Sequence, residues 1–300
     1  MTFLTVAFPT FNGKEDTREC LDSLARQTYP KDFLEVIIVD NGSRDGLKEM
    51  IEQDYPWVKL YALGKNMGFA SGVNFAVNKA RGEWIFVTNQ DVVLGEDTLE
   101  KLVTFATTHK KIATVGPKIM SYWDKDKPSE RDMPGWSCNF TWGIIRSLST
   151  KKIAQLTKPV EVDWLSGAGF LLRKNVAKKV GYFEDRLFAY WEDADFGLKA
   201  KKVGYKNYLV PQAVLWHKGS QVLGVEAPQK VYYLVRNGRF ICYRHFRLLA
   251  KMLQPFKDAL FLGGSLVRFL IDTKHREVHR AKMVGLSAFY MGQYGQRKIP

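Results

Sequence analysis

Cysteine is scarce and scattered: Cys20, Cys138 and Cys242 lie far apart with no Cys-x-x-Cys pair. That argues against a disulfide framework or a zinc site, and the three are expected to be ordinary buried or partly buried thiols in a reducing compartment. Long apolar runs are missing too. The longest, Ala259 to Ile271, is broken by Gly263, Gly264 and Arg268 and falls short of the ~20 residues a membrane-spanning helix needs, so any membrane contact is expected to be peripheral. The opening Phe3–Phe8 run lacks a basic flank and leads into Pro9-Thr10-Phe11-Asn12 rather than a cleavage site; it reads as a first strand, not a secretory signal. Acidic charge is short in one half only. Residues 1–150 hold 18 Lys/Arg against 20 Asp/Glu, a net of −2, whereas residues 151–300 hold 27 against 11, a net of +16. This asymmetry implies an anionic partner for the second half: a phosphorylated substrate, nucleic acid or a membrane surface.

What is present suffices for a large core, since 46% of the 300 residues are hydrophobic and 25% charged, which excludes global disorder. Short β-rich runs alternate with amphipathic helical segments. Strands are expected at Phe3–Phe8, Leu34–Val39, Val58–Leu63 and Trp84–Thr88, with helices near Asp16–Arg26, Leu47–Gln53, Gly72–Ala80 and Asp97–Thr107. Such repetition closes as a parallel α/β sheet. The polar stretch from Asp124 to Gly135 reads as a mobile surface loop. Strands resume at Glu161–Leu165 and Gly169–Leu172, and after Glu226 they stop. Residues 1–225 are therefore expected to form one domain and residues 226–300 a basic, aromatic helical region.

Ligand chemistry in an open α/β sheet gathers beyond the carboxyl ends of the strands. There the chain places Pro9-Thr10-Phe11-Asn12-Gly13, Asp40-Asn41-Gly42-Ser43-Arg44-Asp45, Asn66-Met67-Gly68-Phe69-Ala70-Ser71-Gly72-Val73-Asn74 and Asn89-Gln90-Asp91. Any one of these is ordinary turn chemistry; four in succession are not so easily dismissed. Downstream, Trp191-Glu192-Asp193-Ala194-Asp195 packs three acids into an aromatic frame. Taken alone, Asp193 or Asp195 reads as the cap of a helix through Phe196, Leu198, Ala200 and Val203. Together with the acid at Asp91, they suit a reaction that needs a cation to steady a departing diphosphate and a carboxylate to take a proton from an attacking hydroxyl.

In order along the chain, Thr10-Phe11-Asn12, Val39-Asp40-Asn41-Gly42-Ser43 with Asp45, Asn66-x-Gly68-Phe69-Ala70-x-Gly72-x-Asn74, Gly82 to Asp91, Ser166-Gly167-Ala168, Gly181-Tyr182-Phe183, Trp191-Glu192-Asp193-x-Asp195 and Trp216-His217 resemble the motifs of a family 2 glycosyltransferase. The resemblance covers about Thr5 to Ser220. It implies a GT-A nucleotide-sugar-binding fold, α/β with a mostly parallel central sheet plus a C-terminal helical appendage, and an inverting enzyme. It also implies that Pro9, Thr10 and Asn12 shape the nucleotide pocket, with Asn89 beside them, and that Asp40 accepts the imide N–H of a pyrimidine. Asn66 and Gly72 would lie along the nucleotide, Gly72 permitting close backbone approach. Asp91 would meet Mg2+ or Mn2+, with His217 on the metal or a phosphate, or else simply packed beside Trp216. Asp193 is the implied general base, paired with Glu192. Trp164, Ser166, Gly167, Ala168 and Trp191 resemble the segment lining the sugar and acceptor pocket, although Trp164 reads equally as a core aromatic.

The chain departs from the family at the metal turn, where two acids are common and Asn89-Gln90-Asp91 offers one. An amide oxygen ligates a hard cation without adding charge, which leaves more of the work to the nucleotide's phosphates. In the tail, Gln229 to Pro300 holds 14 Lys/Arg against 3 Asp/Glu, with only a loose family match at Lys230, Tyr233, Arg236 and Asn237. A helix near Pro255–Ile271 mixes aromatic, apolar and basic residues in a way that suits anionic lipid, or a helical appendage with a solvated basic face. The chain is most similar to the rhamnosyltransferase-like branch of the family, and that resemblance implies a dTDP- or UDP-linked donor, dTDP-L-rhamnose first; with the basic tail, the expectation is a cytoplasmic enzyme, peripheral at the inner membrane face. Its acceptor would be a polyprenyl-diphosphate-linked saccharide of cell-surface polysaccharide synthesis, and nucleic acid is not expected as a partner. The rival readings are a catalytically silent glycan- or lipid-binding scaffold and a basic nucleic-acid-binding protein.

Overall fold

The computed structural model describes residues 1–129, 134–219 and 227–297. β1 (Leu4–Thr10), α1 (Lys14–Ala25), β2 (Leu34–Asp40), α2 (Leu47–Asp54), β3 (Val58–Ala62), α3 (Phe69–Lys79) and β4 (Trp84–Thr88) keep the alternation read from the sequence. β5 (Val92–Leu94), α4 (Thr98–Thr108) and β6 (Ile112–Ser121) follow, then β7 (Gly135–Asn139), β8 (Ile144–Ser147), α5 (Thr150–Ala154), β9 (Val160–Val162), β10 (Trp164–Leu165), β11 (Gly169–Arg173), α6 (Lys174–Val180), α7 (Glu192–Lys202) and β12 (Lys206–His217). Three helices complete the described chain: α8 (Pro228–His245), α9 (Leu248–Ile271) and α10 (Arg276–Tyr290).

The main sheet runs β3-β2-β1-β4-β11-β6-β12-β5, with β9 on β12. It is parallel from β3 to β4 and again between β6 and β12, and β11 is antiparallel to both of its neighbours. Alternate residues of β1 serve opposite faces, as a strand's period of two demands. Val6 and Phe8 pack with Leu21 and Leu24 of α1, Leu47 of α2 and Leu99 of α4. Ala7 packs on the other face with Val73 of α3, Ala177 of α6 and Phe196 of α7.

Three local readings are revised, and one strand, β6, had no counterpart among the strands expected from the sequence. The Asp124–Gly135 stretch begins as a closed turn, because Ser121 N–H donates to Lys127 O and Met120 bridges Pro128, and it ends where β7 starts at Gly135; residues 130–133 lie outside the described residues. β6 was hidden by Gly116 and Pro117, a proline that a central strand tolerates only where the ladder is interrupted. Here the register with β12 slips between Val210 and Val214, next to Pro117. Glu161–Leu165 is two strands parted at Asp163, β9 pairing with β12 and β10 with β7 of the small sheet. The helix expected from Pro255 begins at Leu248, with Pro255 inside it.

Candidate active site

The turns beyond the carboxyl ends of β1, β2 and β4 are tied to one another. Thr10 Oγ1 donates to Gln90 Oε1 at 2.5 Å, and the Phe11 N–H meets the same oxygen at 3.0 Å. Asn12, exposed and left-handed at φ 47°, gives its N–H to Ser43 Oγ at 2.9 Å and accepts the Arg44 N–H at 2.9 Å. Asp40 caps its own turn through Ser43 N–H at 2.9 Å. Asn41 accepts the Met67 N–H at 3.2 Å, and Asn66 accepts the Gly68 N–H at 2.9 Å. Gly68 has φ +87°, and a Cβ there would sit 2.4 Å from Phe188 O, so only glycine lets this turn dock against the 188–191 segment.

A cavity of about 390 Å³ opens over these turns. Pro9, Thr10, Asn66, Asn89 and Asp91 line it, as do Phe188, Ala189 and Tyr190. The C-terminal helices close one side with Gln229 and Tyr233, joined by Arg297. Asp40 does not line this cavity; it faces a neighbouring hollow of about 590 Å³ with Ser43 and Arg44. Gly72 does not line the first cavity either; its missing side chain admits Pro9, whose Cβ lies 2.7 Å from where a Gly72 Cβ would be, a close approach of α3 to β1.

Asp91 reaches His217 across 126 residues because β5 and β12 pair with Val92 opposite His217. Both side chains are buried, with Asp91 Oδ1 3.2 Å from His217 Nε2. A carboxylate and an imidazole, with the uncharged amide of Asn89 nearby in sequence, fit a divalent cation that brings other ligands with it. Among the described residues no group of three or more His, Cys, Asp or Glu is arranged to hold a metal ion. An ion here therefore has to complete its shell from a diphosphate and water, which is how Mg2+ is usually held.

Glu192 and Asp193 open α7, with Trp191 left-handed at φ 74° as the residue before it. Asp193 Oδ2 accepts the Gly167 N–H at 2.8 Å and Oδ1 the Ala194 N–H at 2.7 Å. Glu192 is buried, and its Oε2 has no hydrogen-bond partner among the described residues. Burial pushes both carboxyls above the ordinary range, and the Asp193 charge raises Glu192 further; the Gly167 and Ala194 N–H groups restrain the rise at Asp193. The Ser166–Ala168 turn links this pair to the strand that leads into Asn89–Asp91, since Thr88 Oγ1 donates to Ala168 O at 2.7 Å and Gly169 of β11 stands opposite Thr88 of β4. Asp193 itself is not among the residues lining the 390 Å³ cavity.

Of the two readings of Trp164, pocket wall and core aromatic, the structure shows the second. It is 2% exposed, stacked on Trp136 at 5.8 Å, and packed with Leu187, Ala194 and Leu198. Trp191 is half-buried and donates from Nε1 to Leu234 O at 3.1 Å, clasping α8. Asp195 is structural: fully buried, it meets His245 Nε2 at 2.7 Å and Lys199 Nζ at 3.0 Å. Arg236 and Asn237 are also fully buried. Asn237 Nδ2 donates to Leu187 O, Ala189 O and Tyr190 O at 3.0, 2.8 and 2.9 Å, and Arg236 Nη2 adds a bond to Leu187 O at 2.9 Å. The segment they clamp carries Phe188, Tyr190 and Trp191 at positive φ, a conformation that costs of order 1–3 kcal/mol per residue and persists only when the surroundings impose it. The loose motif match at these two positions was the only sequence signal for this clamp.

The sequence profile of glycosyl transferase family 2 matches residues 5–181, and the chain belongs to that family. It is 32% identical over 203 residues to the N-acetylglucosaminyl-diphospho-decaprenol L-rhamnosyltransferase of Mycobacterium tuberculosis (strain CDC 1551 / Oshkosh), a match covering 61% of this chain and 66% of that protein. This chain thus spans just under two thirds of that relative's length. Over 292 residues, 90% of this chain and 83% of the other, it is 22% identical to the dolichyl N-acetyl-alpha-D-glucosaminyl phosphate 3-beta-D-2,3-diacetamido-2,3-dideoxy-beta-D-glucuronosyltransferase of Methanococcus voltae. Among solved structures, the mannosyltransferase PcManGT from Pyrobaculum calidifontis in complex with GDP-Man and Mn2+ matches with a TM-score of 0.61 at 16% identity, over 97% of this chain and 88% of that one. S. aureus TarS 1–349 in complex with UDP matches with a TM-score of 0.58 at 18% identity, over 98% and 92%. At these identities the likeness establishes the shared fold, the GT-A architecture with its C-terminal helices.

Proposed function

We propose that this chain is an inverting glycosyltransferase that moves a sugar from a pyrimidine nucleotide diphosphate to a hydroxyl of a lipid-linked saccharide in cell-surface polysaccharide synthesis. Residues 1–225 are the catalytic domain and residues 226–300 the helical region that closes its cavity. The observation that carries the reading is the buried Glu192–Asp193 pair at the start of α7, joined through the Ser166–Ala168 turn to the strand that delivers Asp91. A carboxylate whose pKa is raised by burial is the right base for a hydroxyl at neutral pH.

In this reading Asp193 Oδ takes the acceptor hydroxyl's proton as that oxygen bonds to the anomeric carbon. The bond from that carbon to the diphosphate oxygen breaks on the opposite face, which inverts the configuration. Glu192 Oε2, buried and without a hydrogen-bond donor among the described residues, is available to a hydroxyl of the bound sugar. Arg297, whose backbone N–H the Tyr233 hydroxyl accepts at 3.1 Å, stands at the cavity to offset phosphate charge. Asp91 and His217 are the residues that would hold Mg2+ or Mn2+, whose contribution is neutralisation of the departing diphosphate. Asp40 keeps its role as acceptor for the base, reached through the neighbouring hollow.

For the donor, dTDP-L-rhamnose leads, supported by the similarity to a protein named a decaprenol-linked L-rhamnosyltransferase; UDP-hexoses come second. The name of the same relative supports a polyprenyl-diphosphate-linked acceptor, and action at the cytoplasmic face of the membrane is part of the same proposal. The test is nucleotide diphosphate release from a donor panel with Mn2+ and an acceptor analogue. Release with dTDP-L-rhamnose that Asp193→Asn abolishes supports the proposal. Glycan binding without turnover makes the chain a silent scaffold, and salt-sensitive DNA or RNA binding without turnover makes it a nucleic-acid-binding protein.

A further inference from the structure

α9 is built inside out. Its polar side chains turn towards the protein: Asp258 and Ser265 are buried, and Asp258 accepts from Arg239 Nε, Gln254 Nε2 and Tyr290 OH at 3.0, 2.9 and 2.9 Å. Its large apolar side chains turn outwards, with Phe256, Leu260 and Leu270 at 72%, 80% and 64% exposure. A helix at a water-facing surface carries the reverse pattern, and a contiguous apolar face of this kind marks an interaction surface.

Charge says what covers it. α9 carries Lys251, Lys257 and Arg268 against a single acid, Asp258, which is already paired with Arg239 at 2.9 Å. Lys257 Nζ lies 3.1 Å from Trp142 O, which brings a 53% exposed tryptophan alongside the helix; amphipathic aromatics of this sort favour the boundary between headgroups and acyl chains. Two copies of the chain meeting at α9 would oppose like charges, whereas an anionic lipid surface complements both the apolar strip and its basic flanks. Among the described residues no helix is long and apolar enough to cross a membrane, so a helix of 24 residues, roughly 36 Å long, has to lie along the surface.

We propose that α9 is an interfacial docking helix, with Phe256, Leu260 and Leu270 inserted among the acyl chains of an anionic bilayer and Lys251, Lys257 and Arg268 at its headgroups. The inference uses α9 alone and holds whatever sugar, if any, the cavity transfers.

The test is flotation of the full chain with vesicles of equal parts phosphatidylglycerol and phosphatidylcholine. The chain is expected to float with them, to bind pure phosphatidylcholine about tenfold less, and to be released by high salt. The combined variant Phe256→Ser, Leu260→Ser, Leu270→Ser, exposed at every position, is expected to lose vesicle partition by about 100-fold or more with an unchanged circular dichroism spectrum and melting temperature. Lys257→Glu with Arg268→Glu is expected to lose the preference for phosphatidylglycerol. No flotation, or equal flotation of the wild-type and serine variants, overturns the proposal. So does a micromolar dimer in ultracentrifugation that the serine variant abolishes, which would give the face to a second copy. Nucleotide diphosphate release to a soluble acceptor analogue, measured on the same variants, is expected to stay unchanged, so failure of the lipid claim and failure of the transfer claim are read separately.

Discussion

Asp193 receives the backbone N–H of Gly167 at 2.8 Å, and this bond joins the proposed base to the turn whose Ala168 carbonyl is held by Thr88. Replacing Asp193 by Asn keeps the size of the side chain and removes the base. Transfer is expected to fall by about 10²–10⁴-fold in kcat, with donor binding by thermal shift retained. The acid limb of the wild-type kcat/KM profile should lie above the ordinary carboxylate range, because burial raises the Asp193 pKa and the base works only when ionised. A profile flat through that range removes Asp193 from the role.

Glu192 gives a stability prediction of definite sign. Its folded pKa is raised by burial and by the Asp193 charge, so the folded state holds the proton more tightly than the unfolded chain. Stability is full below the unfolded carboxylate pKa and is lost as pH rises through the folded value. Glu192→Gln carries no charge to bury and is expected to be more stable than wild type by about 1–3 kcal/mol at neutral pH. The gain should disappear in acid, and thermal melts across a pH series measure it.

In the proposed reading, Asp91 and His217 are the residues that would hold the metal. Chelation is expected to stop nucleotide diphosphate release, and Mn2+ to restore it. Asp91→Asn should nearly abolish the restoration, and His217→Ala should raise the Mn2+ needed for half-maximal rate by about 10–100-fold. Full activity in chelator would remove the cation from the mechanism.

Asn237 acts through the loop that it clamps, making it a positioning residue. Asn237→Asp keeps the shape but loses the NH2 that serves the carbonyls of Leu187, Ala189 and Tyr190. The loss is expected to cost about 2–4 kcal/mol and to lower kcat more than it raises KM for the donor, because the displaced residues directly precede Glu192. A variant that loses stability with kcat intact has only a structural role at this position.

Gly68→Ala tests the docking of the Asn66–Gly68 turn against Phe188. The added methyl would meet Phe188 O at 2.4 Å at a φ of +87°, and a loss of about 2 kcal/mol or more is expected from the clash and strain together. Donor affinity should fall with it in a thermal-shift titration.

Much of the first hundred residues was legible because β1, β2 and β4 are buried along nearly their whole length and the helices between them carry apolar residues at helical spacing. β1 to β4 and α1 to α4 fall within a few residues of their expected bounds. β6 was not legible, since Gly116-Pro117 reads as a break, and only a slipped partner strand makes room for it. The inverted polarity of α9 was half visible, as a mixture of apolar and basic residues. Which side faced inwards depended on Arg239 and Tyr290 arriving at Asp258 from α8 and α10.

By itself, the sequence determined the alternating α/β plan, the family and the residue types available at each strand end, because these follow from local periodicity and from short motifs in order. Tertiary structure alone decided which of those residues share a site. Pairing of β5 with β12 set His217 beside Asp91, and pairing of β4 with β11 bound the Asp193 turn to the Asp91 strand. Packing of α7 turned Trp164 into core and left Asp195 as a buried anchor for His245. Contacts between residues a hundred positions apart are fixed by the register of strands and the closure of helices over them, and no local pattern in the chain encodes either.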